Sequence, residues 1–380
     1  MRLAMCLFKF FPYGGLERDF LKIANVCLSR GHSVTVYVME WDGDIPNGLD
    51  VQVLPVRGWR NHSQVESYVN KLVGELDRSS FDLVVGFNKM PRLDVYYAAD
   101  VCYVDRMQGW GKALSRVGAR FKTYSLYEKA VFSRNSKTVS LMISADQMKL
   151  FKGYYKTPDE RMILLSPGIS KDRLANKNSV NVRAKFREKN KIADDDMLLL
   201  MVGSGFKTKG VDRAIKAVAL LKKDIKKRVK LFVVGGDKPE KFKKMARKLG
   251  ISDQVYFWGG RDDVPAFLLG ADLLLQPSRH ENTGTAIIEG IVSGLPVLVS
   301  DVCGYAVHVK RAKAGKIIPS PFCVEQFSTL IEEMLTSSER QMWKDNALQY
   351  AKTEDLYSMP EQAVNSLEKI RNEAGKTDVG

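Results

Sequence analysis

The sequence has little of what metals and cross-links require. Its 380 residues include four histidines and five cysteines. Cys6, Cys27, Cys102, Cys303 and Cys323 are scattered and form no CxxC pair, so neither a zinc cluster nor a disulfide framework is indicated. Such thiols read as buried and reduced, which points to the cytoplasm. No apolar run reaches the ~18 residues of a membrane-crossing helix. Residues 1–11 are apolar but too short for a secretory leader, and they lack a cleavage site; a first buried strand is expected there instead. The fingerprints GxGxxG and GK[ST] are missing, which excludes the common dinucleotide and P-loop sites.

What is present is a chain too long for one ordinary core, so two domains of roughly 150–200 residues are expected. An apolar fraction of 45% suits a well-buried globular protein. The net charge of +15 implies an anionic partner: nucleic acid, an anionic membrane surface or a phosphorylated substrate. Composition alone does not choose among them.

Strand, Gly loop, helix and strand follow one another twice. In the first half they occupy residues 3–8, 12–15, 16–29 and 33–39, and in the second half residues 197–202, 203–205, 210–221 and 229–234. The strands are continuous apolar runs, as in parallel strands covered on both faces. The pattern predicts two doubly wound α/β domains with ligand loops beyond the carboxyl ends of their strands, facing an interdomain cleft. Ser166-Pro167-Gly168-Ile169 is the natural hinge. The expected division is 1–167, 168–355, and a final helix and tail at 356–380 that can pack back on either domain, the N-terminal one included.

The most informative segment is Pro277-Ser278-Arg279-His280-Glu281-Asn282-Thr283-Gly284-Thr285-Ala286-Ile287-Ile288-Glu289. A hydrophobic strand runs into a polar loop, and the loop into a helix expected to start near Thr283. Glu281 stands on the loop and Glu289 about two turns into the helix. Between them lie the free N–H groups of the helix start, at Gly284 and Thr285, which attract phosphate. A sugar, a diphosphate and a ribose fit such a line. Two further loops open helices. Gly14-Gly15 precedes Asp19, and Gly203-Ser204-Gly205-Phe206-Lys207-Thr208-Lys209 places two cations at a second turn. A lysine there neutralises a leaving diphosphate. Asp42-Gly43-Asp44 is a formal DxD triplet, but it lies far from the other motifs and reads as a turn. Residues 103–132 are basic and aromatic, with Arg106, Lys112, Arg116, Arg120, Lys122 and Lys129 interleaved with Trp110, Phe121, Tyr124, Tyr127 and Phe132. Such a stretch suits an anionic membrane interface, with nucleic acid as the rival and plain core aromatics as the bland reading.

Together these residues resemble the retaining nucleotide-sugar glycosyltransferases of the GT-B fold, in family 4. Within it, Phe10-Phe11-Pro12-Tyr13-Gly14-Gly15-Leu16, Asn88-Lys89-Met90-Pro91, Ala98-Ala99-Asp100-Val101-Cys102-Tyr103, Lys209-Gly210-Val211-Asp212-Arg213 and Val302-Cys303-Gly304-Tyr305 are similar to the lipopolysaccharide core glucosyltransferase I group of Gram-negative bacteria. The resemblance covers nearly the whole chain. It implies transfer of a hexose, glucose by family expectation, from a UDP-sugar to a heptose of the lipid A-linked core, with retention. Glu289 would bind the ribose, Glu281 the donor sugar hydroxyls, and Lys209 the diphosphate, with Arg173 as a further partner. Gly14 and Gly15 would approach the phosphates, and Asp19 and Asp100 would line the acceptor side. Many family members carry a histidine near the position of Asp100. Many also carry an arginine a few residues before the lysine, where this chain has Lys207. No metal is implied, and no nucleic-acid partner. The implied location is peripheral, on the cytoplasmic face of the inner membrane, through residues 103–132. A UDP-N-acetylglucosamine 2-epimerase type enzyme shares the architecture and is the alternative, ahead of a basic nucleic-acid-binding protein.

Overall fold

The computed structural model describes residues 1–12, 14–108 and 116–377, with side chains as far as residue 373. The chain divides into two compact units: Met1–Gly168 together with Ser358–Gly380, and Ile169–Tyr357.

The first unit holds strands β1 (Arg2–Cys6), β2 (Lys9–Phe10), β3 (Ser33–Val38), β4 (Glu40–Trp41), β5 (Leu49–Val53), β6 (Leu83–Gly86), β7 (Val95–Ala98), β8 (Val139–Met142) and β9 (Met162–Leu164). Seven of these form one parallel sheet in the order β5-β3-β1-β6-β7-β8-β9, and β2 pairs with β4 separately. Alternation along β1 explains why its sequence is apolar throughout. Leu3 and Met5 join a core with Phe20, Ile23 and Cys27 on one face, while Ala4 and Cys6 join Tyr68, Val131 and Phe132 on the other. The long final helix, Met359–Thr377, belongs to this unit. It buries Met359, Ala363, Val364 and Leu367 in the core that holds Phe20 and Ile23 of helix Gly15–Ser29. These four positions lie on one helical face.

The second unit carries β10 (Met197–Val202), β11 (Val229–Val234), β12 (Val255–Phe257), β13 (Leu273–Gln276), β14 (Val297–Ser300) and β15 (Gly315–Ile318). They form a parallel sheet ordered β12-β11-β10-β13-β14-β15. Leu198 and Leu200 face one core, Leu199 and Met201 the other. In each sheet the chain order reverses beside the first strand laid down, between β1 and β6 and between β10 and β13. Loops leaving those strands diverge and leave a crevice, which is where ligands bind in sheets of this kind. Of the loops singled out in the sequence, Asn88-Lys89 leaves β6, residues 203–209 leave β10 and residues 277–284 leave β13, while Gly14-Gly15 follows β1 by way of β2.

Candidate active site

In the second unit, Gly284 adopts φ +88° and caps helix Thr285–Val292. This conformation costs little only for glycine, and it sets the helix start two residues later than the expected Thr283. A Cβ on Gly284 would also meet Ile287 Cδ1 at 2.8 Å and Glu281 Cγ at 3.2 Å. The turn therefore folds Glu281 back over the helix N-terminus, whose first N–H groups have no helical partners.

Glu281 and Lys209 form a hydrogen-bonded ion pair, Nζ to Oε2. Both side chains are about one-fifth exposed or less. Lys209 ends the single turn Phe206–Lys209. The Gln276 amide donates to Glu281 Oε2 at 3.4 Å. Glu281 also forms a backbone bridge to Cys303, and the Tyr305 N–H donates to the Thr283 carbonyl at 2.8 Å; the Cys303-Gly304-Tyr305 segment thus backs the glutamate loop. Burial, reinforced by the Glu281 charge, pushes the Cys303 thiol up to about 12, so it is an inert wall and not a nucleophile.

Glu289 is buried in the helix. Arg173, on the turn Lys171–Arg173, brings Nη1 to 3.9 Å from its Oε1. Arg173 thus stands beside the second glutamate. Lys207 is exposed.

The sequence reading missed what fixes the glutamate loop. Arg279 makes a bidentate pair with Asp212 at 2.8 and 2.7 Å and donates to the Lys207 carbonyl at 2.8 Å. Its own N–H donates to the Thr208 carbonyl at 2.8 Å. Arg213 donates to the carbonyls of Pro277 and Ser278 at 3.1 and 3.0 Å. Loop 277–284 is thereby clamped onto the loop that carries Lys209. Burial works to raise the Asp212 carboxyl, but the Arg279 fork outweighs it and holds the group below the usual range. The available signal was opposite charge in two motifs already quoted, Arg279 on the glutamate loop and Asp212 in the first turn of the helix that follows Lys209.

In the first unit, Gly14 is extended and caps helix Gly15–Ser29. A Cβ on Gly14 would collide with the carboxylate of Glu17, whereas one on Gly15 would meet open space. Glu17, unmarked in the sequence reading, is buried. Burial first, and then the charges of Asp100 and Asp19, push its carboxyl up to about 7. Asp19 accepts from the Tyr97 hydroxyl at 2.8 Å and lies 3.8 Å from Lys22. Asp100 is exposed and lines a pocket of about 170 Å³ with Phe8, Lys89, Tyr103, Arg106, Arg120 and Tyr124.

The basic aromatic stretch divides in two. Tyr127 and Phe132 are core residues, so for them the bland reading holds. Lys122, Leu126 and Lys129 face outward on helix Ala119–Phe132. Tyr13, Trp110 and Lys112 lie outside the described residues. Glu128, counted in the sequence as one acid among cations, is fully buried. It accepts from Lys89 at 2.5 Å, the N–H groups of Tyr103 and Val104 at 2.6 and 3.1 Å, and Tyr155 at 2.8 Å.

Two doubly wound units, with a phosphate-attracting helix start set between two glutamates and beside a lysine, define a GT-B glycosyltransferase. The model of the family described as glycosyl transferases group 1 matches residues 182–350. The Escherichia coli (strain K12) protein lipopolysaccharide glucosyltransferase WaaG is 43% identical over 96% of this chain and 98% of its own length. A crystal structure of WaaG, a glycosyltransferase involved in lipopolysaccharide biosynthesis, has a TM-score of 0.91 at 43% identity, covering 95% of this chain and 98% of that one. The Anabaena protein HepE in complex with UDP-glucose has a TM-score of 0.76 at 16% identity over 97% and 100% of the two chains, a likeness of fold alone. The chain belongs to the group 1 glycosyl transferases. It is an enzyme of glycosyl transfer, and the epimerase alternative is not favoured.

Proposed function

We propose that the protein transfers glucose from UDP-glucose, with retention, to a heptose of the lipopolysaccharide core carried on lipid A. The Lys209–Glu281 pair beside a glycine-capped helix start carries this reading, together with the full-length similarity to a lipopolysaccharide glucosyltransferase.

In this reading the pair keeps both charges balanced until a donor arrives. The diphosphate then takes the Lys209 ammonium and the N–H groups at Gly284 and Thr285, and the freed Glu281 accepts from sugar hydroxyls. Glu289, steered by Arg173, accepts from the ribose. As the bond to UDP breaks, Lys209 and the helix dipole stabilise the departing charge. Asp19 and Asp100 serve the acceptor. In this reading the charge of the departing diphosphate is met by Lys209 and the helix start rather than by a metal.

The acceptor's lipid places the enzyme at the cytoplasmic face of the inner membrane. The outward Lys122, Leu126 and Lys129 support contact with anionic headgroups, and no described helix is long and apolar enough to cross a membrane. Nucleic acid is not a partner in this reading.

UDP release is the test. It is measured with a panel of UDP-sugars, with and without heptose-terminated core lipid and without added metal. Acceptor-dependent release from UDP-glucose is expected. Tight UDP binding with no release from any sugar would overturn the reaction.

A further inference from the structure

The second unit contains a groove lined by neither glutamate. Its volume is about 370 Å³, within the range of small-molecule sites, roughly 300–1,000 Å³. One wall is helix Arg340–Thr353, which presents Gln341, Lys344, Leu348 and Lys352. Steps of three and four residues put all four on one face, while Trp343, Ala347 and Tyr350 are buried on the opposite side. The facing wall is helix Ser179–Lys189, with Ser179, Val180 and Arg183. Leu268 and Leu295 are buried in the floor. Ser293 and Gly294 close one end, at the C-terminus of the helix that begins at the glutamate loop, about 12 Å from its start. Gly294 adopts φ +69°, and a Cβ there would meet Leu348 Cδ2 at 3.0 Å, so the glycine lets the two helices close on each other. Arg183 commits its guanidinium to the carbonyls of Leu269, Gly270 and Ala271 at 3.0, 3.0 and 2.6 Å, and to Asp272 at 2.6 Å.

The charge in this groove has one sign. Among the described residues no carboxylate lines it. Asp272, behind the wall, already pairs with Arg183, Arg187 and Arg340. Asp345 accepts from the Gln341 amide at 2.9 Å. Lys344 is half-buried, and among the described residues it makes no hydrogen bond or ion pair. Burial, and then the Arg183 guanidinium, hold its ammonium below the ordinary lysine value; Asp272 and Asp345 do not outweigh them. Lys352, equally unpaired among the described residues, is exposed at the rim. A partly desolvated ammonium beside leucines matches a ligand that has both an anionic group and an apolar body.

We infer that this groove binds an anionic amphiphile, a phosphate or carboxylate group joined to an apolar chain, with the anionic group at Lys344 and the chain over Leu295 and Leu348. Lys352 draws the anion in from the rim, and Val180 covers the chain. A nucleotide lacks the chain, and a neutral glycolipid lacks the charge. The site stands whatever sugar the enzyme transfers.

Titration calorimetry of the full chain, with the donor site filled by UDP, separates the ligand chemistries. Octyl phosphate carries both features, octyl glucoside only the chain, and inorganic phosphate only the charge; the two octyl compounds are kept below the concentrations at which they form micelles. The Kd of octyl phosphate is expected to lie about tenfold or more below the other two. The Lys344→Gln/Lys352→Gln protein, checked for an unchanged melting temperature, is expected to weaken octyl phosphate about fivefold or more and to leave octyl glucoside and UDP unchanged. Val180→Glu, at a position 76% exposed, sets an acid on the rim and is expected to weaken octyl phosphate as well. Octyl phosphate bound no more tightly than octyl glucoside would overturn the inference. So would undiminished binding in both variants, which would place the amphiphile on another surface of the chain. Flotation with phosphatidylglycerol vesicles then tells the source: a deficit in the double variant assigns the groove to a lipid of the bilayer, and equal flotation to a soluble amphiphile. Transfer to core lipid is read in a separate assay, so loss of the groove and loss of the proposed reaction are told apart.

Discussion

Glu281 and Lys209 constrain each other, and this makes their substitutions unequal. Glu281→Gln keeps the shape and removes the charge, releasing Lys209 to a diphosphate. UDP affinity is expected to hold or rise while transfer falls at least 100-fold, about 2.7 kcal/mol of barrier. Lys209→Met removes the phosphate contact and is expected to weaken UDP itself. Calorimetric UDP titration beside turnover separates the two; equal loss of UDP binding in both variants would refute the assignment. Glu17 gives a pH signature. Its folded-state value of about 7 lies above the ordinary 4.5, so the fold binds the proton more tightly than the unfolded chain does. The benefit is complete below about 4.5 and is lost as pH rises toward 7. Glu17→Gln is expected to gain stability over wild type by about 1–2 kcal/mol at pH 8 and to converge with it at pH 4. Parallel urea midpoints from pH 4 to 8 check this, and a constant difference across the range would reject it.

At the scale of elements, the glutamate loop works because another loop holds it. Arg279→Ala removes the fork on Asp212 and the bond to Lys207, so Glu281 and Lys209 lose their common frame. Transfer is expected to fall 10- to 100-fold, chiefly in kcat, while Arg279→Lys recovers little, because an ammonium cannot reproduce a two-pronged contact. Steady-state kinetics of both variants test this; full activity in the lysine variant would show that charge alone suffices. The same example shows what was legible. Strands such as β1 and β10 could be read because each is apolar on both faces, and the Glu281 loop because its strand, glycine and helix are contiguous. The Arg279–Asp212 fork, the burial of Glu128 and the folding of Glu17 onto Gly14 could not, since each joins residues whose proximity only the turn geometry or the sheet order decides. The approach of Arg173 to Glu289, 3.9 Å between Nη1 and Oε1, was illegible for the same reason.

At the scale of the whole molecule, the chain leaves its first unit at Gly168 and returns to it at Ser358, so that unit is discontinuous and the second is not. The consequence for folding is asymmetric. Residues 169–357 carry both faces of their own sheet, the clamped loops and both glutamates, so this segment alone is expected to fold cooperatively. UDP at 100 times its dissociation constant is expected to stabilise it by about 2.7 kcal/mol. Residues 1–168 lack the helix that covers Phe20, Ile23 and Cys27. Met359, Val364 and Leu367, fully or nearly fully buried there, would each forfeit roughly 1.5–3 kcal/mol of apolar burial, a loss comparable to the stability of an ordinary domain. That segment is therefore expected to be unfolded or aggregated, and to be rescued by joining residues 358–380 to it through a short flexible linker. Thermal unfolding of the three pieces, with and without UDP, decides the matter. A cooperative transition in residues 1–168 alone would show that the final helix is an accessory, and failure of residues 169–357 to respond to UDP would show that the loops of the second unit do not suffice to hold the nucleotide.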